Sequence, residues 1–291
     1  MADGSARTVK IEVRNVSMVY GDDSGQANLV LDDVSLEVRD GEFVTVVGPS
    51  GCGKSTLLNL LSGLIAPTTG SLALDGRKVA GASKNYGYML QRDLLLDWRT
   101  ILDNVTLGLE VRGTARREAR KLARTYLRFY GLGGFEERYP SELSGGMRQR
   151  AALARTMILN PSILLLDEPF VALDFQTKLI LESELAKSVA AERRAVLFIT
   201  HDVEEAVSLS DRVLVMSRRP GRIKAVHEIR LDCDRTDPVS AREAPGFGES
   251  VARIWKQLEI QTSALDMESL RAADKTAGDA AGAAAAAGGA A

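Results

Sequence analysis

The sequence predicts an α/β fold, a mixed sheet flanked by helices, with antiparallel strands before it and a helical segment inserted in it. Three observations predict this. A glycine-rich loop, Gly48-Pro49-Ser50-Gly51-Cys52-Gly53-Lys54-Ser55-Thr56, follows the apolar run Phe43-Val44-Thr45-Val46-Val47 and leads into Leu57-Leu58-Asn59-Leu60-Leu61. After residue 160, short apolar runs alternate with helical stretches. Between them, residues 100–160 read as mainly helical. The 291-residue chain is 45% hydrophobic and 26% charged, which suffices for a full core. Its net charge of −2 gives no overall basic field, so no nucleic-acid partner is expected. The two cysteines are Cys52 and Cys233; the first lies inside the glycine-rich loop, which fits a reducing compartment rather than a structural disulfide. Residues 1–8 carry no apolar stretch resembling a signal, and no apolar run reaches about 18 residues, so the chain is not expected to span a membrane by itself.

Residues 10–20 alternate, with Ile11 and Val13 on one side and Glu12 and Arg14 on the other, which predicts a half-buried strand. Residues 21–26 read as a turn or loop. Residues 29–38 alternate again through Leu31, Val34, Leu36 and Val38, and stop at Asp40-Gly41. Phe43 to Val47 is continuously apolar, as a buried parallel strand would be. A short strand at 71–74 closes on Asp75-Gly76, and another over 85–90 ends before Gln91. Within the helical insertion, residues 115–130 are amphipathic, with Ala119, Leu122, Tyr126 and Phe129 on one side and Arg117, Lys121, Arg124 and Arg128 on the other. Pro140 breaks the run, and a new helix starts near Ser144 and ends before Asn160-Pro161. Then come a strand at 163–166, a helix at 174–191, a strand at 195–199, a short helix at 203–209 and a strand at 212–217. Pro220-Gly221 turns the chain into a strand at 222–231. Residues 251–258 predict a helix anchored by Ile254 and Trp255. From about residue 272 the chain is nearly all Ala and Gly, with no amphipathic face to bury, which predicts disorder. The expected divisions are a loose leader at 1–8, a main domain at 9–231 with a helical insertion at about 100–160, an extension at 232–271 and a tail at 272–291.

The loop at 48–56 completes the G-x-x-x-x-G-K-[ST] pattern in its strand-loop-helix setting. Glycines let the backbone curl so that several N–H groups face one phosphate, and the helix N-terminus adds positive potential. Lys54 would reach the β- and γ-phosphates of a nucleoside triphosphate, and Ser55 would hold Mg²⁺. The run Leu164-Leu165-Leu166-Asp167-Glu168 places two carboxylates at a strand end. Strands ending in acids are common; beside a phosphate loop, Asp167 would bind Mg²⁺ and Glu168 would polarise a water for in-line attack on the γ-phosphate. A third run, Leu143-Ser144-Gly145-Gly146-Met147-Arg148-Gln149-Arg150, opens a helix. Ser144 alone is an ordinary N-cap, but two glycines in a first turn lower helix stability, which implies close approach of another group to the backbone.

These motifs, in this order, resemble the nucleotide-binding subunit of an ATP-binding-cassette (ABC) transporter over roughly residues 9–230. The resemblance implies a P-loop NTPase cassette with an antiparallel β subdomain, an inserted helical subdomain, and ATP and Mg²⁺ as ligands. Lys54, Ser55, Asp167 and Glu168 match the two Walker motifs, and Ser144, Gly145 and Gly146 match the family signature. In that family the signature of one subunit completes the ATP site of another, so a head-to-tail dimer of two copies is implied. Tyr20 matches the ring that stacks on adenine. Gln91 matches the glutamine between the Mg²⁺ site and the membrane partner, Asp174 the loop crossing the dimer interface, and His201 the γ-phosphate-sensing histidine. Two positions depart from the pattern: Met147 stands where the signature usually has Gln, and Val171 where the interface loop commonly has Ser. Cys52 is expected to be covered by bound nucleotide, and ATP to shield it from thiol reagents.

Four stretches, at 94–105, 167–170, 202–206 and 217–223, are similar to importers of the nitrate, sulfonate and taurine group. The resemblance implies that the region from Gln91 to Thr100, with Trp98 exposed and Leu95 and Leu96 forming a groove, receives a membrane permease. It implies solute delivery by an extracytoplasmic binding protein and a peripheral location on the cytoplasmic face of the cell membrane. The alternatives are an exporter ATPase or a soluble ABC ATPase that does not transport; the single cassette without a heptad run disfavours the latter.

Overall fold

The computed structural model describes residues 7–21 and 27–258. Most of the leader, the turn at 22–26 and everything after 258, including the Ala/Gly tail, lie outside the described residues. In chain order the strands are β1 (Val9–Gly21), β2 (Ala27–Arg39), β3 (Phe43–Val47), β4 (Thr69–Leu74), β5 (Arg77–Lys78), β6 (Tyr86–Met89), β7 (Ile163–Asp167), β8 (Ala195–Ile199), β9 (Arg212–Met216) and β10 (Ile223–Glu228). The helices are α1 (Lys54–Leu61), α2 (Ile101–Val111), α3 (Arg116–Phe129), α4 (Gly145–Met157), α5 (Phe175–Glu192), α6 (Val203–Leu209), α7 (Pro238–Glu243) and α8 (Phe247–Leu258). None of the helices among the described residues is long and apolar enough to cross a membrane.

The strands form two sheets. An antiparallel sheet has the order β2-β1-β4-β5, and a central sheet the order β10-β9-β3-β8-β7-β6. The central strands run parallel except β10, which pairs antiparallel with β9. Every residue of β3, β7 and β8 is buried, as strands covered on both faces require. Alternation along β7 divides the core: Leu164 and Leu166 face α2 to α5, whereas Ile163 and Leu165 face α1 and the antiparallel sheet. A smaller core joins Val213 and Val215 of β9 to α6 and to Ile254 of α8. The phosphate loop and the segments carrying Gln91, Glu168 and His201 leave the carboxyl ends of the parallel strands β3, β6, β7 and β8, where open α/β sheets place their ligands.

Three helices differ from the sequence expectation. Helix α3 buries Ala119, Ala123 and Leu127, while Leu122 and Phe129 are exposed. Its small residues pack toward α2 and α4, and the larger ones remain at the edge; the apolar stripe is rotated from the one expected. Helix α8 is anchored by Phe247 and Ile254, and Trp255 is exposed. Helix α7 was not expected, although its signal is present: Asp237 accepts from Val239 N (3.0 Å) and from Ser240 Oγ (2.7 Å), with Pro238 opening the helix.

Candidate functional site

Strand β3 delivers the chain into the glycine-rich loop, and Gly53 caps α1 in the left-handed region at φ 105°. A Cβ there would lie 2.6 Å from Leu31 Cδ2, so glycine satisfies both the backbone and the space. No side chain caps α1, whose leading N–H groups are left for a ligand. Lys54 is buried, and its Nζ donates to the carbonyls of Gly48 (2.7 Å) and Pro49 (3.1 Å). Those bonds hold the loop closed on itself and are the ones phosphate oxygens would replace. Beside the loop lies a cleft of about 350 Å³, lined by Tyr20, Val30, Ser50, Gly51, Gly53, Lys54, Ser55, Thr56, Gln91, Glu168 and Arg219.

Cys52 departs from expectation. It is 1% exposed, packed in the core beneath the loop, and burial pushes its thiol pKa up. The thiol is thus covered without nucleotide, and ATP has no exposed sulfur to shield. Any contribution of Cys52 to a ligand would come from its backbone.

Asp167 ends β7 and is buried, with Oδ1 lacking a hydrogen-bond partner. Burial raises its pKa, and the Ser55 hydroxyl and Lys54 oppose that shift. An orphaned carboxylate oxygen beside a hydroxyl is a donor set suited to a hard divalent cation. Ser55 and Asp167 therefore fit Mg²⁺, and Gln91 lies on the same cleft.

Glu168 follows in the left-handed region at φ 49°, at a cost of about 1–2 kcal/mol for a residue with a side chain. Several contacts hold it there. Its N–H donates to Ile199 O (2.9 Å), and Gln149 Nε2 donates to its carbonyl (3.3 Å). Its Oε2 accepts from Gln91 Nε2 (3.2 Å) and lies 3.4 Å from His201 Nδ1. The strained backbone points the carboxylate toward the cleft rather than along the strand. Gln149 escaped the sequence reading; a glutamine on the buried side of α4 was the available signal.

Ser144 caps α4, accepting from Met147 N at 3.3 Å. A Cβ on Gly146 would meet the Ala172 carbonyl at 2.9 Å, so this helix start packs on the loop that leads to α5. Asp174 caps α5, accepting from Thr177 N at 3.0 Å. Ser144, Gly145, Gly146 and Asp174 do not line the cleft, and neither do Gly48, Pro49 or Cys52; Asp167 and His201 lie behind it, His201 reaching it through Glu168. Within one chain the structure brings together Tyr20, the phosphate loop, Gln91, Glu168 and His201, and leaves the signature apart.

Behind His201 lies a second charged cluster that the sequence reading missed. Lys178 of α5 donates to Asp202 Oδ2 at 2.7 Å and lies 3.2 Å from Glu205 Oε1 of α6. Glu182 is 0% exposed and pairs with Arg242 of α7 at 3.0 Å. Burial pushes the Glu205 carboxyl up to about 7, against the pull of Lys178.

The segment after Gln91 also differs from expectation. Leu95 is turned into the helical core and Leu96 is half-buried, so they do not form an open groove. The exposed apolar groups are Leu94 and Trp98, the latter 75% exposed. Asn104, fully buried in α2, holds this segment: its Oδ1 accepts from Leu96 N (2.7 Å) and its Nδ2 donates to Leu96 O (3.1 Å) and Thr100 O (3.0 Å). Arg155 adds a bond to Leu94 O at 2.7 Å.

A phosphate loop after β3, an Asp-Glu pair ending β7 and a largely parallel sheet define a P-loop nucleotide-binding ATPase. The family described as ABC transporter matches residues 31–171, and the chain belongs to the ABC transporter ATP-binding proteins. An uncharacterised ABC transporter ATP-binding protein of Methanocaldococcus jannaschii is 48% identical over 248 residues, covering 85% of this chain and 92% of that one. The taurine import ATP-binding protein of Rhizobium johnstonii is 41% identical, covering 82% and 92%. The nitrate import ATP-binding protein of Synechocystis is 42% identical, covering 78% and 85%. A dimeric ATP-binding cassette solved in a post-hydrolysis state with ADP and Pi superimposes with a TM-score of 0.70 at 31% identity, covering 76% of this chain and 99% of that chain. The protein is an ATP-binding, ATP-hydrolysing subunit of the ABC class.

Proposed function

We propose that this ATPase subunit energises an importer for a small anionic or organic solute of the nitrate, sulfonate or taurine type. The taurine and nitrate import relatives, at 41% and 42% identity, support that direction and solute class. For the chemistry, the observation that carries the reading is the Glu168 carboxylate held between Gln91 and His201 on the nucleotide cleft. Tyr20 stacks on the base. Lys54 exchanges the Gly48 and Pro49 carbonyls for β- and γ-phosphate oxygens. Mg²⁺ would be held by Ser55 and Asp167 with Gln91 beside them, and when bound would neutralise phosphate charge. Glu168 accepts the proton of the attacking water, and His201 donates toward the γ-phosphate.

The signature residues Ser144, Gly145 and Gly146, with Asp174, act on the cleft of a second copy in a head-to-tail dimer; the solved relative is dimeric. Leu94 and Trp98, presented on a segment held by Asn104 and Arg155, meet the permease at the cytoplasmic face of the inner membrane. A solute-binding protein delivers the cargo on the other side. The test is Glu168→Gln in the full chain. Hydrolysis is expected to fall by about 10²-fold or more while ADP binding is retained. Hydrolysis at the wild-type rate would remove Glu168 from the role of base.

A further inference from the structure

The turn between β9 and β10 reads Ser217-Arg218-Arg219-Pro220-Gly221-Arg222, and its three arginines sit in three environments. Arg222 Nε donates to Asp32 Oδ2 of β2 at 2.9 Å and locks the turn to the antiparallel sheet. Arg218 is exposed and lies off the cleft. Arg219 is also exposed, but it lines the nucleotide cleft. Among the described residues, neither Arg218 nor Arg219 has an acidic partner for its guanidinium.

The turn is fixed against the phosphate loop. A Cβ on Gly221 would lie 2.1 Å from the Cys52 carbonyl, so only glycine permits this contact. Gly221 N donates to Val30 O (2.8 Å), and Asp32 N donates to Gly221 O (3.0 Å). Inside the turn, Ser217 Oγ donates to Pro220 O (3.0 Å) and accepts from Arg222 N (3.0 Å). Arg219 is therefore held beside the loop by its neighbours on both sides.

Sheet order places it along the cleft. Strand β9 borders β3 on one side, and β8, β7 and β6 lie on the other. Gln91 and Glu168 follow β6 and β7, so they flank the loop opposite Arg219, which shares its side with Val30. Among the described residues, Lys54 and Arg219 are the cations lining the cleft. Lys54 serves the β- and γ-phosphates, and beside the loop N–H groups Arg219 is the cation that remains for the α-phosphate, on the side of the cleft away from Gln91 and Glu168. We propose that Arg219 is a nucleotide-binding residue whose guanidinium holds the α-phosphate through charge-assisted hydrogen bonds. This rests on the placement of ATP in the cleft given above. It assigns the turn at 217–222 two tasks: bracing the loop through Gly221 and binding the ligand through Arg219.

The experiment compares Arg219→Ala, Arg219→Lys and Arg218→Ala in the full chain, using calorimetric titration with ADP, competition by adenosine, and steady-state hydrolysis. Arg219→Ala should weaken ADP binding about 3–10-fold and raise KM for ATP by the same factor, with kcat unchanged, because the contact is common to ground and transition states. Arg219→Lys should recover part of the loss, and Arg218→Ala should match wild type. Adenosine, which lacks the phosphate, should bind wild type and Arg219→Ala equally. ADP affinity unchanged in Arg219→Ala overturns the proposal, as does an equal loss for adenosine and ADP. A fall in kcat at constant KM overturns it too. A wild-type chain that binds no ADP would instead overturn the placement of nucleotide in the cleft, and this assignment with it.

Discussion

Two charged clusters meet at the loop that carries Thr200, His201 and Asp202, and they are built differently. On the cleft side, Glu168 is held by Gln91 at 3.2 Å and His201 at 3.4 Å, and the His201 side chain is 61% exposed. On the far side, Lys178 holds Asp202 at 2.7 Å and Arg242 holds the fully buried Glu182 at 3.0 Å, with Lys178 3.8 Å from Glu182 linking the two pairs. The first set is loose and wet; the second is tight and dry. Long bonds to exposed partners are weak and exchange readily with a ligand or a water. Short bonds among buried charges leave a large penalty when one partner is lost. The contrast assigns movement to the cleft side and anchorage to the far side, with the loop as their boundary.

Breaking each side in turn should give opposite signatures. His201→Ala removes a side chain whose charged contact among the described residues is Glu168. Hydrolysis is expected to fall by about 10²-fold, while the melting temperature stays within about 1 °C. A melting temperature that fell with activity would show that His201 belongs to the structural side. Arg242→Ala should do the reverse. It leaves Glu182 buried with Lys178 3.8 Å away as its remaining cation, at a cost of about 3 kcal/mol. Thermal unfolding should shift down by several degrees. ADP affinity should hold, because α7 does not line the cleft. Full stability in Arg242→Ala would dissolve the distinction between the two sides.

The same contrast explains what could be read in the sequence. The phosphate loop, the strand ends and the signature helix were legible because each depends on residues close together: glycines at set spacing, an apolar run, a cap. Tyr20, Gln91 and His201 were identified only through the order of motifs, since their approach to one cleft depends on sheet order. The far cluster was not legible at all. Lys178, Glu182, Asp202, Glu205 and Arg242 come from α5, α6 and α7 and the loop between β8 and α6, and in sequence each resembles a solvated charge. Arg219 was hidden similarly. A turn after β9 becomes part of the nucleotide cleft only because β9 borders β3. Leu95 and the stripe of α3 were misread for a different reason. Apolar residues at helical or loop positions indicate burial, but packing of small residues such as Ala119 and Ala123 decides which face turns inward. Cys52 shows the same limit, since a residue inside a ligand loop can point into the core beneath it.

The smallest expected effect sharpens the comparison most, because it removes one of the two carboxyls, Glu182 and Glu205, that burial pushes above their ordinary values. Glu205 sits at about 7, above its ordinary value of 4.5, with burial as the first cause. Facing it are Lys178 and Glu182 from α5, and Thr200 and Asp202 from the adjoining loop. Lys178 favours the charged carboxylate, while Glu182 opposes it. Between the two values the folded chain binds more protons at this site than the unfolded chain. Stability at this site therefore falls as pH rises from about 4.5 to about 7, and the loss is complete above that range. Asp202 is shifted the other way, below 3.8, so its favourable contribution is in place before this window opens and does not mask the trend. One proton sets a slope of at most about 1.4 kcal/mol per pH unit. Glu205→Gln should flatten the decline of the melting temperature between about pH 5.5 and pH 7 while leaving hydrolysis close to wild type. Parallel pH profiles for the two proteins would mean that Glu205 ionises as freely in the folded chain as in the unfolded one, and the far side would then be as wet as the cleft.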